Sequence, residues 1–201
     1  MKNLILCLLA VCLLTSCHKN PGPRPTVLNM SDYPVNTGNS WTYQVFDSIL
    51  NTTDTAVFKV NSKTVLKIDT NLYNYQTMVN GSIVDSGYIV QTANSYTYSS
   101  YTGNALFANI KFRFPIYMNG TVAVQFPQDT VYGLSVLQRL TVLANNFTSV
   151  YQLQRNLSMP DFYLEATLDV VPGIGIVQED FSAGSWIPRR KTIRLISYNI
   201  H

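Results

Sequence analysis

The sequence predicts an all-β protein: one strongly curved antiparallel sheet of roughly ten to twelve strands, a half-barrel or an up-and-down barrel. Three observations carry this. Charged residues make up only 12% of the chain, so its polarity comes from Asn, Thr, Ser and Tyr rather than the Glu, Lys and Ala of helical surfaces. Apolar residues recur at every second position over many short stretches. Gly, Pro and Asn-Gly punctuation separates those stretches at hairpin spacing.

Residues 1–17 stand apart. Lys2 precedes an apolar run from Leu4 to Leu14, about half the roughly 20 residues that cross a bilayer. A basic start, a short apolar core and small residues describe an export signal. Leu14-Thr15-Ser16-Cys17 fits a lipobox, in which an aliphatic and two small residues precede a cysteine that is acylated and becomes the new first residue. The expected organisation is a signal peptide over 1–16, a lipidated Pro-rich tether over 17–32 and a single antiparallel β domain over 33–201. Cys7, Cys12 and Cys17 are the only cysteines, so the mature domain holds none for a disulfide or a thiolate metal site. The mature chain keeps 185 residues, enough for a sizeable core. Its charge excess is two once Lys2 is removed, which is no nucleic-acid footprint.

The tether contains Pro21, Pro23 and Pro25, and its fifteen residues after Cys17 would lift the domain by up to roughly 45 Å as polyproline II. Gly38-Asn39-Ser40 marks a turn before Trp41-Thr42-Tyr43-Gln44-Val45, whose alternation makes a half-buried strand. Ala56–Val60 and Val65–Ile68 read as two further strands. Asn80-Gly81, between Tyr73–Val79 and Ser82–Val90, predicts a type I′ hairpin, and Asn119-Gly120 predicts another. Ile110, Phe112 and Phe114 alternate ahead of the second. Val136–Leu143 and Phe147–Leu153 flank an expected turn at Asn145-Asn146. Phe162, Leu164, Ala166, Leu168 and Val170 give the cleanest alternation, a strand rather than a helix. Ile174–Phe181 and Lys191–Ile200 complete the set around Ser182-Ala183-Gly184-Ser185.

Three stretches together resemble small Bacteroidota-type outer-membrane lipoproteins of uncharacterised function. Tyr33-Pro34 with Gly38-Asn39-Ser40-Trp41-Thr42-Tyr43 resembles their opening. Val142-Leu143-Ala144-Asn145-Asn146-Phe147 resembles a central motif, with Asn146 where glycine is usual. Val171-Pro172-Gly173-Ile174-Gly175-Ile176-Val177, with Leu195-Ile196-Ser197-Tyr198, resembles their ending. The resemblance implies an antiparallel-sheet lipoprotein of the outer membrane and brings no catalytic residues. Basic His18-Lys19 after Cys17, where surface-exported relatives carry acidic residues, favours the periplasmic face.

Catalytic equipment is sparse. The mature chain has His18 in the tether and His201 at its end, neither suited to a triad or a zinc site. Glu165 and Asp169 share the polar face of a strand and read as solvated; Glu179 and Asp180 point to opposite faces. Gly173-Ile174-Gly175 lacks the third glycine of a dinucleotide loop, and its glycines are expected to admit Trp41. Arg190 and Arg194, on one face of an expected edge strand, are candidate contacts for an anion. Tyr96 and Tyr98, with Trp41 and Tyr43, form a candidate aromatic binding face. No cofactor is expected. The first expectation is a lipid-anchored, non-catalytic protein holding an apolar or amphipathic ligand on its concave face. The second is an accessory lipoprotein docking another envelope protein or glycan through a sheet edge or its Tyr-rich face. An envelope glycan hydrolase is a distant third.

Overall fold

A computed structural model describes residues 27–102, 110–118, 131–159, 162–184 and 189–201. The lipobox, Cys17 and the Asn119-Gly120 hairpin lie outside them.

Thirteen strands are present among these residues. A two-residue strand β1 (Val27–Leu28) leads through a 3₁₀ turn (Met30–Asp32) into β2 (Ser40–Asp47), β3 (Thr52–Lys67), β4 (Thr70–Val79), β5 (Ser82–Gln91) and β6 (Ser95–Ser100). Short strands β7 (Lys111–Arg113) and β8 (Ile116–Tyr117) follow. The chain then forms β9 (Val131–Val142), β10 (Asn145–Met159), β11 (Phe162–Val171), β12 (Gly175–Gly184) and β13 (Arg189–Asn199).

Eleven of these make one antiparallel sheet in the order β7-β6-β5-β4-β3-β2-β13-β12-β11-β10-β9; β1 and β8 pair separately. Two meanders of consecutive hairpins are thus joined by the last strand, which inserts beside the first long one. So many strands cannot stay flat. The sheet curls until β9 comes against β7 and β8, nearly closing a barrel. Gly133 belongs at this seam, because a Cβ there would press on the Tyr117 carbonyl.

Local chemistry explains the turns. Asn80 and Gly81 take φ of 50° and 82°, the two left-handed positions of a type I′ hairpin. Trp41, Tyr43, Phe58, Ile89, Phe112 and Leu168 all point inward, as their alternation requires.

Four boundaries differ from the sequence reading. Leu28 is fully buried and β1 pairs with β8, so residues ahead of Tyr33 already pack on the sheet. β3 runs unbroken through Asn61–Thr64, its two β-bulges absorbing the irregularity that looked like a break. The turn after β9 falls on Leu143-Ala144, with Leu143 at φ 52°, while Asn145 and Asn146 already pair with Val142 and Thr141. Ser182 to Gly184 belong to β12, in register with Glu165 to Tyr163.

Candidate functional site

The interior is built from aromatic rings. Trp41 and Phe58 lie 5.9 Å apart between centroids, Phe58 and Tyr75 4.8 Å, and Phe58 and Tyr98 6.2 Å. Tyr98 meets Phe112 edge-on at 6.2 Å, and Tyr33 sits 5.1 Å from Phe112 and 5.9 Å from Tyr96. Tyr33 arrives from the segment before β2, which crosses the end of the sheet where the Asp32 carbonyl accepts from Gly173 N–H. The four residues expected to form a binding face are therefore brought together, but as core: Trp41, Tyr43, Tyr96 and Tyr98 are at most 5% exposed. Packing of rings within the first meander and from the segment before it, rather than presentation to solvent, explains the tyrosine spacing. Between Tyr33, Trp41, Tyr43, Phe58, Tyr98, Gly175 and Ile176 remains a space of about 10 Å³, room for about one water.

The polar tips of these rings are matched. Trp41 Nε1 donates to the Ile174 carbonyl at 2.6 Å, and Tyr43 donates to the Ile176 carbonyl at 3.0 Å. Gly175, at φ 99°, stands under Trp41 as expected; a Cβ there would lie 3.6 Å from Nε1. Gln91 Nε2 donates to the Tyr96 hydroxyl at 3.0 Å. Burial pushes the Tyr96 hydroxyl up to about 12 and raises those of Tyr33, Tyr43 and Tyr98 well above their ordinary value, keeping all four neutral.

Two of the buried carboxylates stand out at the margins of this core. Asp85, 1% exposed, accepts from Ser100 Oγ at 2.7 Å, Thr102 Oγ1 at 2.6 Å and the Tyr75 hydroxyl at 3.3 Å. Three hydroxyl donors hold it without a cation among them. Thr77, directly opposite Asp85, keeps a buried hydroxyl with no hydrogen-bond partner.

Glu179 is the other. It is paired in register with Leu168 and Ile193, so it faces the interior, and it is 2% exposed. Its Oε2 has no hydrogen-bond partner. Burial raises its pKa to about 7, against the opposing pull of Lys191 and Arg155. Asp47 shares the same end, but its Oδ1 is committed to the backbone N–H of Ile49 at 2.9 Å and Leu50 at 3.3 Å. Glu179 thus has Lys191 and Arg155 as cationic neighbours, with Asp180 acting on it in the opposite sense.

On the convex face, β13 is central and not an edge, because it inserts between β2 and β12. Arg190 and Arg194 stand exposed there. Arg194 lies in a polar row of Gln44, Arg194, Gln178, Asp169 and Gln152 across five strands. Asp169, expected to be solvated, is 3% exposed: its in-register neighbours cover it, Gln152 donating at 3.4 Å. Burial raises it to about 6. Glu165 is exposed and accepts from Gln154 at 3.1 Å. Glu179 and Asp180 fall on opposite faces, as the alternation requires. His201 lies against Gly38 at the surface, with its backbone N–H on Asn39 Oδ1 at 2.9 Å. Among the described residues no group of His, Cys, Asp and Glu side chains could hold a metal ion.

Sequence reading missed Glu179 and Arg155 as interior groups. The signal was present: Glu179 is in phase with Val177 and Phe181, and Arg155 with Leu153.

A solved structure from Parabacteroides distasonis ATCC 8503, described as a candidate lipoprotein, shares the fold, with a TM-score of 0.50 at 12% identity over 84% of this chain and 98% of that one. A candidate exported protein with a YmcC-like fold from Bacteroides fragilis NCTC 9343 aligns with a TM-score of 0.46 and 11% identity, over 83% and 98% of the two chains. No protein-family model and no curated protein matches the chain.

Proposed function

We propose that this chain is a lipid-anchored envelope protein, without catalytic activity, that works by docking another envelope protein through its outer surface. The lipobox supports the anchor at Cys17 and the outer membrane, and the basic residues after it favour the periplasmic face. The observation that supports the docking reading is the close packing of aromatic rings on the concave face among the described residues. A carrier of acyl chains needs a cavity of several hundred Å³, roughly 300 or more. Among the described residues, the space between Trp41, Tyr43, Phe58 and Tyr98 is about 10 Å³. An apolar ligand on the concave face therefore gives way to surface recognition. Two surfaces suited to it are the polar row around Arg194 on the convex face and β9, one of the two terminal strands of the sheet among the described residues.

Two experiments test this. Cys17→Ala should move the protein from the membrane to the soluble fraction; a mutant that stays membrane-bound contradicts the anchor. Photo-crosslinking from Arg194 and from Gln138 on β9 in intact cells should give one recurrent adduct from at least one position. Adducts from neither position, or only random ones, contradict docking.

A further inference from the structure

The second half of β3 is unlike the rest of the sheet. All seven residues from Asn61 to Lys67 are exposed, on both faces. The cause is register: β2 begins at Ser40, opposite Lys59, so beyond that point β3 has β4 as its one strand neighbour among the described residues. This overhang ends in the turn Ile68-Asp69. Val65, Leu66 and Ile68 are 66%, 53% and 98% exposed. Three aliphatic side chains within four positions, held in water at a strand end, form a patch and not the scattered apolar exposure common on surfaces.

What could cover it is constrained by its neighbours. An incoming strand would need a flat edge, whereas bulges between Val60 and Ser62 and between Val65 and Lys67 break this one, and Lys63 and Lys67 stand on it. A protein partner would be met by aromatic residues with few lysines; here no exposed ring stands among the three aliphatics, and two lysines flank them. Aliphatic tips ringed by lysine stems are instead what the boundary of a bilayer accepts, the carbons entering the acyl region and the ammonium groups reaching phosphate. Lys63, with its Nζ 5.6 Å from the Tyr73 ring centroid, and Lys67 supply two such cations against Asp69 in the turn.

We propose that the turn from β3 to β4 is a second membrane contact, in which Val65, Leu66 and Ile68 enter the headgroup–acyl boundary of a phospholipid bilayer. In one respect this rests on the anchor at Cys17. Nine residues separate Cys17 from Val27, and the ten steps between them reach at most about 35 Å, less than the roughly 50 Å length of the sixteen-residue β3. A domain tethered so briefly stays within reach of the bilayer, and this tip is the surface chemically suited to meet it.

The acylated mature chain offers no free thiol, so one can be introduced. Ile68→Cys at the tip and Ser82→Cys at the start of β5, opposite the far end of β4, would each carry an environment-sensitive fluorophore. The full lipidated protein would be reconstituted in phosphatidylethanolamine vesicles containing phosphatidylglycerol, with nitroxide-headgroup lipid as quencher. The label at 68 should shift to the blue and lose roughly half its emission, the label at 82 should do neither, and Leu66→Glu should return the tip label to water-like emission. A vesicle-bound protein whose label at 68 stays water-exposed overturns the membrane contact and leaves the anchor standing. A protein that does not associate with vesicles overturns both. A label at 68 already shielded in detergent, in a manner that rises with protein concentration, assigns the patch to a second copy and overturns the proposal.

Discussion

The Tyr43 hydroxyl donates to the Ile176 carbonyl at 3.0 Å, joining β2 to β12 across the intervening strand β13. The ladder alone pairs nearest neighbours; this bond, with that of Trp41 to Ile174, fixes the curvature where the two meanders meet. Tyr43→Phe keeps the ring and removes the donor, which should destabilise the protein by about 1 kcal/mol, whereas Tyr43→Ala should cost about 4 kcal/mol through the cavity it leaves. Urea denaturation of the two variants checks the difference.

Glu179 gives the fold a pH dependence of defined sign. Its folded pKa, about 7, lies above the ordinary carboxylate value of 4.5, so the native state binds more protons than the unfolded state between those limits. Stability is then highest at the acid end of that window and falls as pH rises through it. Glu179→Gln should flatten this slope and stabilise the protein at pH 8 by about 2–3 kcal/mol, with little change at pH 5. Melting curves of both proteins at the two pH values read the effect directly. A variant less stable than the parent at pH 8 would mean that pairing with Lys191 and Arg155 outweighs burial.

Thr77 and Asp85 face each other with opposite hydrogen-bond accounts. Thr77 buries an unpartnered hydroxyl, so Thr77→Val should be neutral or stabilise by about 1 kcal/mol. Asp85→Ala strands the three hydroxyl donors of Tyr75, Ser100 and Thr102 and should cost about 3 kcal/mol. Chemical denaturation that finds both substitutions equally damaging would contradict this division.

Gly87 is required by approach and not by conformation. A Cβ there would collide with the Ser99 carbonyl and lie 2.6 Å from the Tyr75 hydroxyl that reaches Asp85. Gly87→Ala should therefore cost about 3 kcal/mol, and Gly87→Ala combined with Tyr75→Phe should lose less than the sum of the two single changes. A double-mutant cycle by equilibrium unfolding gives the coupling.

Much of this architecture was legible in the chain. Period-two alternation located Trp41-Tyr43-Val45 and Phe162–Val170, and Asn80-Gly81 announced its hairpin through residues that accept positive φ. Alternation is a property of one strand, however, and says nothing about which distant strand lies beside it. That is why β13 read as an edge when it is central, and why Tyr96 and Tyr98 read as a platform when rings from Tyr33, Phe58 and Phe112 close over them. Turn chemistry failed where the fold overrode it: Leu143 takes a left-handed φ while the adjacent asparagines pair in β10. The phase of Glu179 was readable, but a carboxylate at an inward position is more often a solvated strand end, and burial depends on neighbours the sequence does not name.

The central proposal is that the sheet is anchored by an acyl chain on Cys17, outside the fold, and that its aromatic face holds no second acyl ligand. Native mass spectrometry of the protein extracted gently from membranes tests both halves in one spectrum. The account predicts a single mass, that of the chain beginning at acylated Cys17 with no bound lipid. A species carrying a further acyl ligand in fixed stoichiometry, or one without acylation, would contradict it.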